Sequence, residues 1–265
     1  VTPSSSMYEP GRDLAAVPIP SAVELPVLTL DPDYLASRKI VGFDSRDIRS
    51  RAFNLLRSQV AKRMARDGMK VLGITSAAPN AGKSFISTNL AAALSRMADR
   101  EVYLFDFDLR RGSLARELGL QSGRGLGLFL EGKVTDLRDI GHRIGENGFA
   151  FFPCFASMER SAELFSGNAF KALAAAMHAL PDNAIVLCDL PPAFANDDTS
   201  VICEKLDGYL MVVEQGSTTR KQVTGTREML HPTPCIGTVL NRYDGGWSDP
   251  YGYGYGSQYG KYYAQ

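Results

Sequence analysis

Six stretches of the chain are mostly apolar: 71–75, 101–106, 149–152, 184–189, 208–213 and 235–240. Runs this short, bounded by Gly, Pro, Asn or charged residues, read as strands buried on both faces rather than as helices. Between them the apolar residues return every three or four positions. That spacing predicts helices over 85–97, 168–180 (closed by Pro181) and 218–230, with shorter pieces at 113–118, 126–130 and 162–165. Ahead of the first strand, Ile48, Ala52, Leu56, Val60 and Met64 recur every four residues, broadened by Phe53 and Leu55. Arg51, Arg57, Lys62, Arg63 and Arg66 take the other faces, and Gly68 stops the run. This predicts an amphipathic helix over 47–67 packed on the body of the protein, or else a basic face that docks a neighbouring subunit. Strands alternating with helices give the fold class: α/β, with a mainly parallel central sheet and helices on both faces.

The two ends break the pattern. Residues 1–36 hold six of the 14 prolines and show no helical period, so they read as an extended, mostly disordered arm or a docking segment. The body then runs over 37–245 and a tail over 246–265. Six of the 11 tyrosines (Tyr251, Tyr253, Tyr255, Tyr259, Tyr262 and Tyr263) fall in the last 15 residues, interleaved with glycine. Glycine at this density prevents a packed core and predicts a flexible tail. Base stacking by its tyrosines would normally come with positive charge, and Lys261 is the only charged residue among them. Lys and Arg equal Asp and Glu at 29 each, which gives no bulk attraction to nucleic acid or to an anionic membrane. The four cysteines are dispersed and read as thiols in a reducing compartment. No signal peptide is visible, and no apolar run approaches the roughly 18 residues a membrane span needs.

The candidate chemistry sits at the carboxyl ends of three predicted strands, where open α/β sheets bind ligands. After the first strand come Ala77-Ala-Pro-Asn-Ala-Gly-Lys-Ser84 and then a helix. Small residues let the backbone approach a phosphate, and the helix N-terminus adds partial positive charge. In such a loop Lys83 reaches the β- and γ-phosphates and the Ser84 hydroxyl ligates Mg²⁺. The predicted cradle comprises Pro79, Asn80, Ala81, Gly82, Lys83, Ser84 and Phe85. The usual pattern has Gly where this chain has Ala77, so a chance strand–turn–helix is the competing reading. The second strand delivers Asp106-Phe-Asp108-Leu-Arg110-Arg111, which suits Mg²⁺, a general base and phosphate charge. The fourth ends in Asp189-Leu-Pro191-Pro192, an acid placed to hold Mg²⁺ beside a phosphate loop.

Together these motifs and the tyrosine tail resemble the bacterial tyrosine kinases of polysaccharide export, which are similar in fold to the ParA/MinD-type P-loop ATPases. The resemblance runs from about residue 45 to the end. It takes Ser76–Ser84 as Walker A, Leu104–Arg111 as Walker A′ and Ile185–Pro192 as Walker B, the first a deviant Walker A type. Residues 153–166, 216–220 and 239–242 are also similar to the family's.

The resemblance implies a P-loop NTPase that uses ATP and Mg²⁺ to phosphorylate its own tail tyrosines between subunits, regulating exopolysaccharide synthesis or export. Lys83 and Ser84 would hold phosphates and metal, and Asp108 and Asp189 would organise the metal. Asp106 would be the best candidate to take the tyrosine proton, with Asp108 the alternative; Arg110 would neutralise phosphate charge, and Asn241 and Arg242 would lie against the base. Implied partners are a membrane polysaccharide co-polymerase with a cytoplasmic tail, further copies of the chain and a tyrosine phosphatase. The implied location is cytoplasmic, peripheral to the inner membrane through a partner.

Departures stand beside the matches. Asn80 and Gly112 replace a common Gly and Pro. The ring-building Glu-x-x-Arg-x-x-Arg is Arg51, Asn54 and Arg57, which weakens the expectation of a ring. Ala78 stands where ParA and MinD carry a signature Lys. The alternative is a nucleotide-switched assembly or partition ATPase with an adhesive tail; a nucleotide-binding scaffold without activity is the third reading.

Overall fold

The computed structural model describes residues 17–146, 148–155, 158 and 160–243. The tail tyrosines and residues 1–16 lie outside them. In chain order the elements are β1 (Val27–Leu28), α1 (Pro32–Ser37), α2 (Arg51–Arg66), β2 (Val71–Ser76), α3 (Lys83–Ser95), β3 (Glu101–Asp106), α4 (Ser113–Glu117), α5 (Leu126–Leu130), β4 (His142–Ile144) and β5 (Phe149–Phe152). They continue with α6 (Ser161–Ser166), α7 (Asn168–Ala179), β6 (Ala184–Asp189), α8 (Asp198–Cys203), β7 (Gly208–Glu214), α9 (Arg220–Met229) and β8 (Cys235–Asn241).

The strands form one sheet in the order β1-β4-β5-β3-β6-β2-β7-β8. All neighbours are parallel except β4 and β5. The central strands are buried on both faces, and alternation sorts their side chains. Val102, Leu104, Ile185 and Leu187 join the core beneath α2 and α3. Tyr103, Phe105, Val186 and Cys188 face the opposite core, which α5, α6 and α7 cover. The register sets Asp106 of β3 opposite Asp189 of β6, and Ile74 of β2 opposite the same Asp189. Three strand ends therefore open at one level.

Two strands exceed the six read from the sequence. β1 and β4, of two and three residues, are too short to show a period. They also correct the reading of 1–36 as an arm, because 17–36 fold onto the sheet edge. Val17 and Leu25 are buried, and β1 pairs with β4. α1 starts at Pro32, capped by the Asp31 carboxylate accepting from the Asp33 and Tyr34 amides. The Tyr34 hydroxyl donates to the Arg116 carbonyl at 2.5 Å. Of the prolines that read as disorder, Pro32 starts a helix and Pro18, Pro20 and Pro26 lie in the connecting loops.

α2 packs on the body as the first of the two readings has it, but its stripe begins differently. Phe53, Val60 and Met64 are buried, whereas Ile48 and Ala52 are exposed. The Phe53 ring meets Phe85 of α3 edge-on at 5.6 Å. Cys154, Cys188 and Cys203 are buried, and none of the four cysteines forms a disulfide.

Candidate functional site

β2 is buried along its whole length and runs directly into the loop before α3. The loop turns through left-handed backbone at Asn80 (φ 66°) and Gly82 (φ 92°). Asn is among the few non-glycine residues that adopt this region readily, which explains how it replaces glycine at 80. Gly82 has no substitute, because a Cβ there would lie 2.1 Å from the Asn241 side-chain nitrogen. That nitrogen donates to the Ala81 carbonyl at 2.8 Å, so the end of β8 rests on the loop. The segment after β6 is tied to it as well: the Ala193 and Phe194 amides donate to the Ser76 and Ala77 carbonyls at 2.8 and 3.2 Å. Gly82 offers α3 no side-chain cap, so the first turn presents backbone amides beside Lys83.

Lys83 and three acids meet at the centre. The Lys83 ammonium donates to Asp108 Oδ2 at 2.8 Å and lies 3.5 Å from Asp189 Oδ2. Ser84 Oγ donates to Asp189 Oδ2 and Ser87 Oγ to Asp189 Oδ1, both at 2.8 Å. Ser113 Oγ lies 2.8 Å from Ser84 Oγ. Asp106 accepts the Asp108 and Leu114 backbone amides at 3.2 and 3.3 Å. Asp106 and Asp189 are wholly buried, and Asp108 and Lys83 nearly so.

Charge balance decides the chemistry here. Burial, then repulsion from Asp189, pushes Asp106 well above the ordinary carboxylate range, against the pull of Lys83. Burial also raises Asp189, while Lys83 and the two serine hydroxyls draw it back. Burial opposes the charge on Lys83, but Asp189, Asp108 and Asp106 together outweigh it and raise its pKa. With every group ionised, three carboxylates face one ammonium. Hydroxyl and carboxylate oxygens around such a surplus suit a hard cation. Among the described residues no group of three His, Cys, Asp or Glu forms a metal centre by itself. Mg²⁺ takes one or two carboxylates and completes its shell with water and phosphate.

The other residues singled out in the sequence are distributed as follows. Asn80 accepts from Arg111 Nη1 at 3.2 Å, and Pro79 lies beside it at the exposed loop tip. Asn241 reaches the loop, whereas Arg242 pairs with Glu214. Phe85 packs on α2. Arg110 bonds Ser161 and Asp198 rather than Lys83 or the three acids. Ser87, Ser113, Ser161 and Asp198 were not singled out from the sequence. Ser87 lies one helical turn beyond Lys83, a spacing that could have found it.

Residues 72–249 match the model of the CobQ/CobB/MinD/ParA nucleotide binding domain. The chain is 30% identical over 231 residues to the putative tyrosine-protein kinase EpsB of Ralstonia nicotianae, covering 86% of this chain and 29% of that protein. It is 31% identical over 210 residues to the putative tyrosine-protein kinase AmsA of Erwinia amylovora, covering 78% and 28%. The chain thus spans under a third of the length of these relatives. Among solved structures, the kinase domain of the Escherichia coli tyrosine kinase ETK superposes with a TM-score of 0.69 at 26% identity, covering 80% of this chain and 87% of that one.

Proposed function

The chain belongs to the CobQ/CobB/MinD/ParA nucleotide-binding domain family, and from that premise we propose that it is an ATP-dependent protein-tyrosine kinase acting on tyrosines of its own tail. The observation that carries this reading is the buried cluster of Lys83 with Asp106, Asp108 and Asp189 at the phosphate loop. Similarity to proteins named tyrosine-protein kinase favours tyrosine as acceptor.

Lys83 exchanges a carboxylate for phosphate oxygens of ATP. Ser84, Asp108 and Asp189 are the oxygen donors that would hold Mg²⁺, and the surplus negative charge around them fits it. Bound Mg²⁺ supplies neutralisation of charge on the phosphoryl group. The bond from the γ-phosphorus to ADP breaks and one to the tyrosine oxygen forms. Asp106, made more basic by burial, takes the hydroxyl proton. Asn241 stands against the loop where a base would lie. Tyr251, Tyr253, Tyr255, Tyr259, Tyr262 and Tyr263 are the acceptors, reached between subunits of a homo-oligomer.

Each phosphate brings roughly −1.5 to −2 charges at pH 7, so phosphorylated tails repel one another and loosen the assembly, and a phosphatase resets them. Among the described residues no helix is long and apolar enough to cross a membrane. The chain works at the cytoplasmic face of the inner membrane through a polysaccharide co-polymerase that carries the span, and it regulates exopolysaccharide export.

Intact mass with and without Mg·ATP, beside a Lys83→Met control, tests this. Steps of one phosphate each, mapped to the tail and absent in the control, are expected. ATP hydrolysis without phosphotyrosine would assign the site to a nucleotide switch instead.

A further inference from the structure

A fourth buried carboxylate sits beside the site and the proposed chemistry does not use it. Asp198, the first residue of α8, is fully buried. Its Oδ2 accepts from Ser161 Oγ at 2.7 Å, Asn196 Nδ2 at 2.9 Å and Arg110 Nε at 3.4 Å. Its Oδ1 has no hydrogen-bond partner among the described residues. Ser161 Oγ also accepts from Arg110 Nε, at 3.0 Å. The platform is rigid: Thr199 and Thr75 hydroxyls both donate to the Pro191 carbonyl, at 2.8 and 2.7 Å, fixing the start of α8 to the ends of β2 and β6.

Arg110 is held in an unusual way. A guanidinium committed to a structural ion pair usually presents its terminal fork to the carboxylate. Here the carboxylate and Ser161 take only Nε, and the Arg110 side chain stays 43% exposed although its partner is wholly buried. Among the described residues neither terminal nitrogen has a hydrogen-bond partner. A guanidinium anchored by Nε with its fork free is pre-organised to donate to two oxygens of an anion such as a phosphate. Arg110 belongs to the same turn as Asp108, whose carboxylate bonds Lys83, and as Arg111, which reaches Asn80.

We infer that Asp198, with Ser161, is a positioning residue: it holds Arg110 so that the terminal guanidinium nitrogens meet the terminal phosphoryl group of the bound nucleotide. This rests on the kinase reading only in taking ATP as the ligand. Asp198 touches neither nucleotide nor tyrosine and acts wholly through Arg110.

The test is a double-mutant cycle in the full chain, read as preference for ATP over ADP by direct binding of each nucleotide. Arg110→Ala is expected to lower the preference about tenfold, the size of one charge-assisted hydrogen bond. Asp198→Ala should lower it by a similar factor, and the double variant should lose no more than Arg110→Ala alone. ADP affinity and the thermal melt report whether each variant is folded. If Asp198→Ala does not fold, Ser161→Ala replaces it, with a loss of about threefold that must vanish in the Arg110→Ala background. Losses that multiply, or a folded Asp198→Ala chain with unchanged preference, overturn the inference. Phosphotyrosine formation is scored separately: a coupled cycle in a chain that makes none keeps the positioning role and removes the kinase reading.

Discussion

Asp189 and Asp198 are both fully buried, the first closing β6 and the second opening α8, the next helix. Their surroundings differ in charge. Asp189 shares Lys83 with Asp106 and Asp108, so its cluster carries more negative than positive charge. Asp198 meets Arg110 with neutral hydroxyl and amide donors around its carboxylate, and the same guanidinium also attracts the exposed Glu163 carboxylate. Buried charges are normally matched, and an unmatched set costs stability. The first cluster therefore stores a demand for a cation, which a nucleotide–metal complex would meet on the proposed reading, while the second is already balanced and is suited to holding a side chain in place. A site and its support are told apart here by charge count rather than by burial.

The largest test of this contrast removes the one cation of the first cluster. Lys83→Met should reduce phosphoryl transfer by about 10²- to 10³-fold, the usual effect of deleting one preorganised donor. It should also make stability more sensitive to pH. Without Lys83, Asp106 and Asp189 shift further upward, and forcing them to ionise on raising the pH costs more in the folded than in the unfolded chain. Urea melts at pH 6 and pH 8 are expected to show a larger drop for the variant than for the parent. Equal drops would mean that the three acids do not share the charge of Lys83.

The next prediction isolates Asp106. Its folded pKa lies above its unfolded value, so the native chain binds the extra proton. That contribution to stability is full below the unfolded carboxylate pKa and is lost as pH rises through the folded one. Asp106→Asn removes this dependence. Its stability relative to the parent should climb with pH across the acidic-to-neutral range, while transfer falls for want of a base. A parallel pair of stability curves would contradict the assignment of a raised pKa to Asp106.

The first cluster was largely legible in the sequence and the second was not. Lys83, Ser84, Asp106, Asp108 and Asp189 each end or follow a strand that apolar runs mark clearly, and parallel register then brings them together. Arg110 was legible as a residue but not in its placement. Adjacency to Asp108 does not say which way a turn rotates its side chain, and its partners come from α6 and α8, which are distant in sequence. Ser87, Ser113 and Ser161 were hidden because a serine hydroxyl serves caps, turns and surfaces equally well. The short β1 and β4 escaped for want of length, and prolines disguised the fold of 17–36.

A smaller effect separates geometry from charge in the first cluster. Gly82→Ala places a side chain on left-handed backbone and against Asn241, which must give up its bond to the Ala81 carbonyl. A cost of about 1–3 kcal/mol is expected, with weaker nucleotide binding and no change in the coupling of Arg110 to Asp198. Thermal melts and nucleotide titrations check the first two, and the double-mutant cycle checks the third. If the coupling also fails, the two clusters are one mechanical unit and the contrast drawn from their charges is too simple.

The smallest effect is expected at Ser113, where the first cluster touches α4. Its hydroxyl meets Ser84 Oγ, and the Ser84 proton is given to Asp189, so Ser113 donates to the Ser84 oxygen. On the proposed reading that oxygen is also the atom offered to Mg²⁺, so the donor would compete for a lone pair that the metal uses. Ser113→Ala removes one neutral hydrogen bond at a partly exposed position, worth about 0.5–1.5 kcal/mol at most. It should lower stability slightly and leave the Mg²⁺ requirement unchanged or a little relaxed. Ser84→Ala, which deletes the oxygen itself, should raise that requirement about tenfold or more, the scale of lost metal-site contacts. A Mg²⁺ titration of transfer at fixed ATP distinguishes them. If Ser113→Ala raises the requirement as much as Ser84→Ala does, Ser113 belongs among the groups that hold the metal, and the oxygen-rich side of the first cluster extends onto α4.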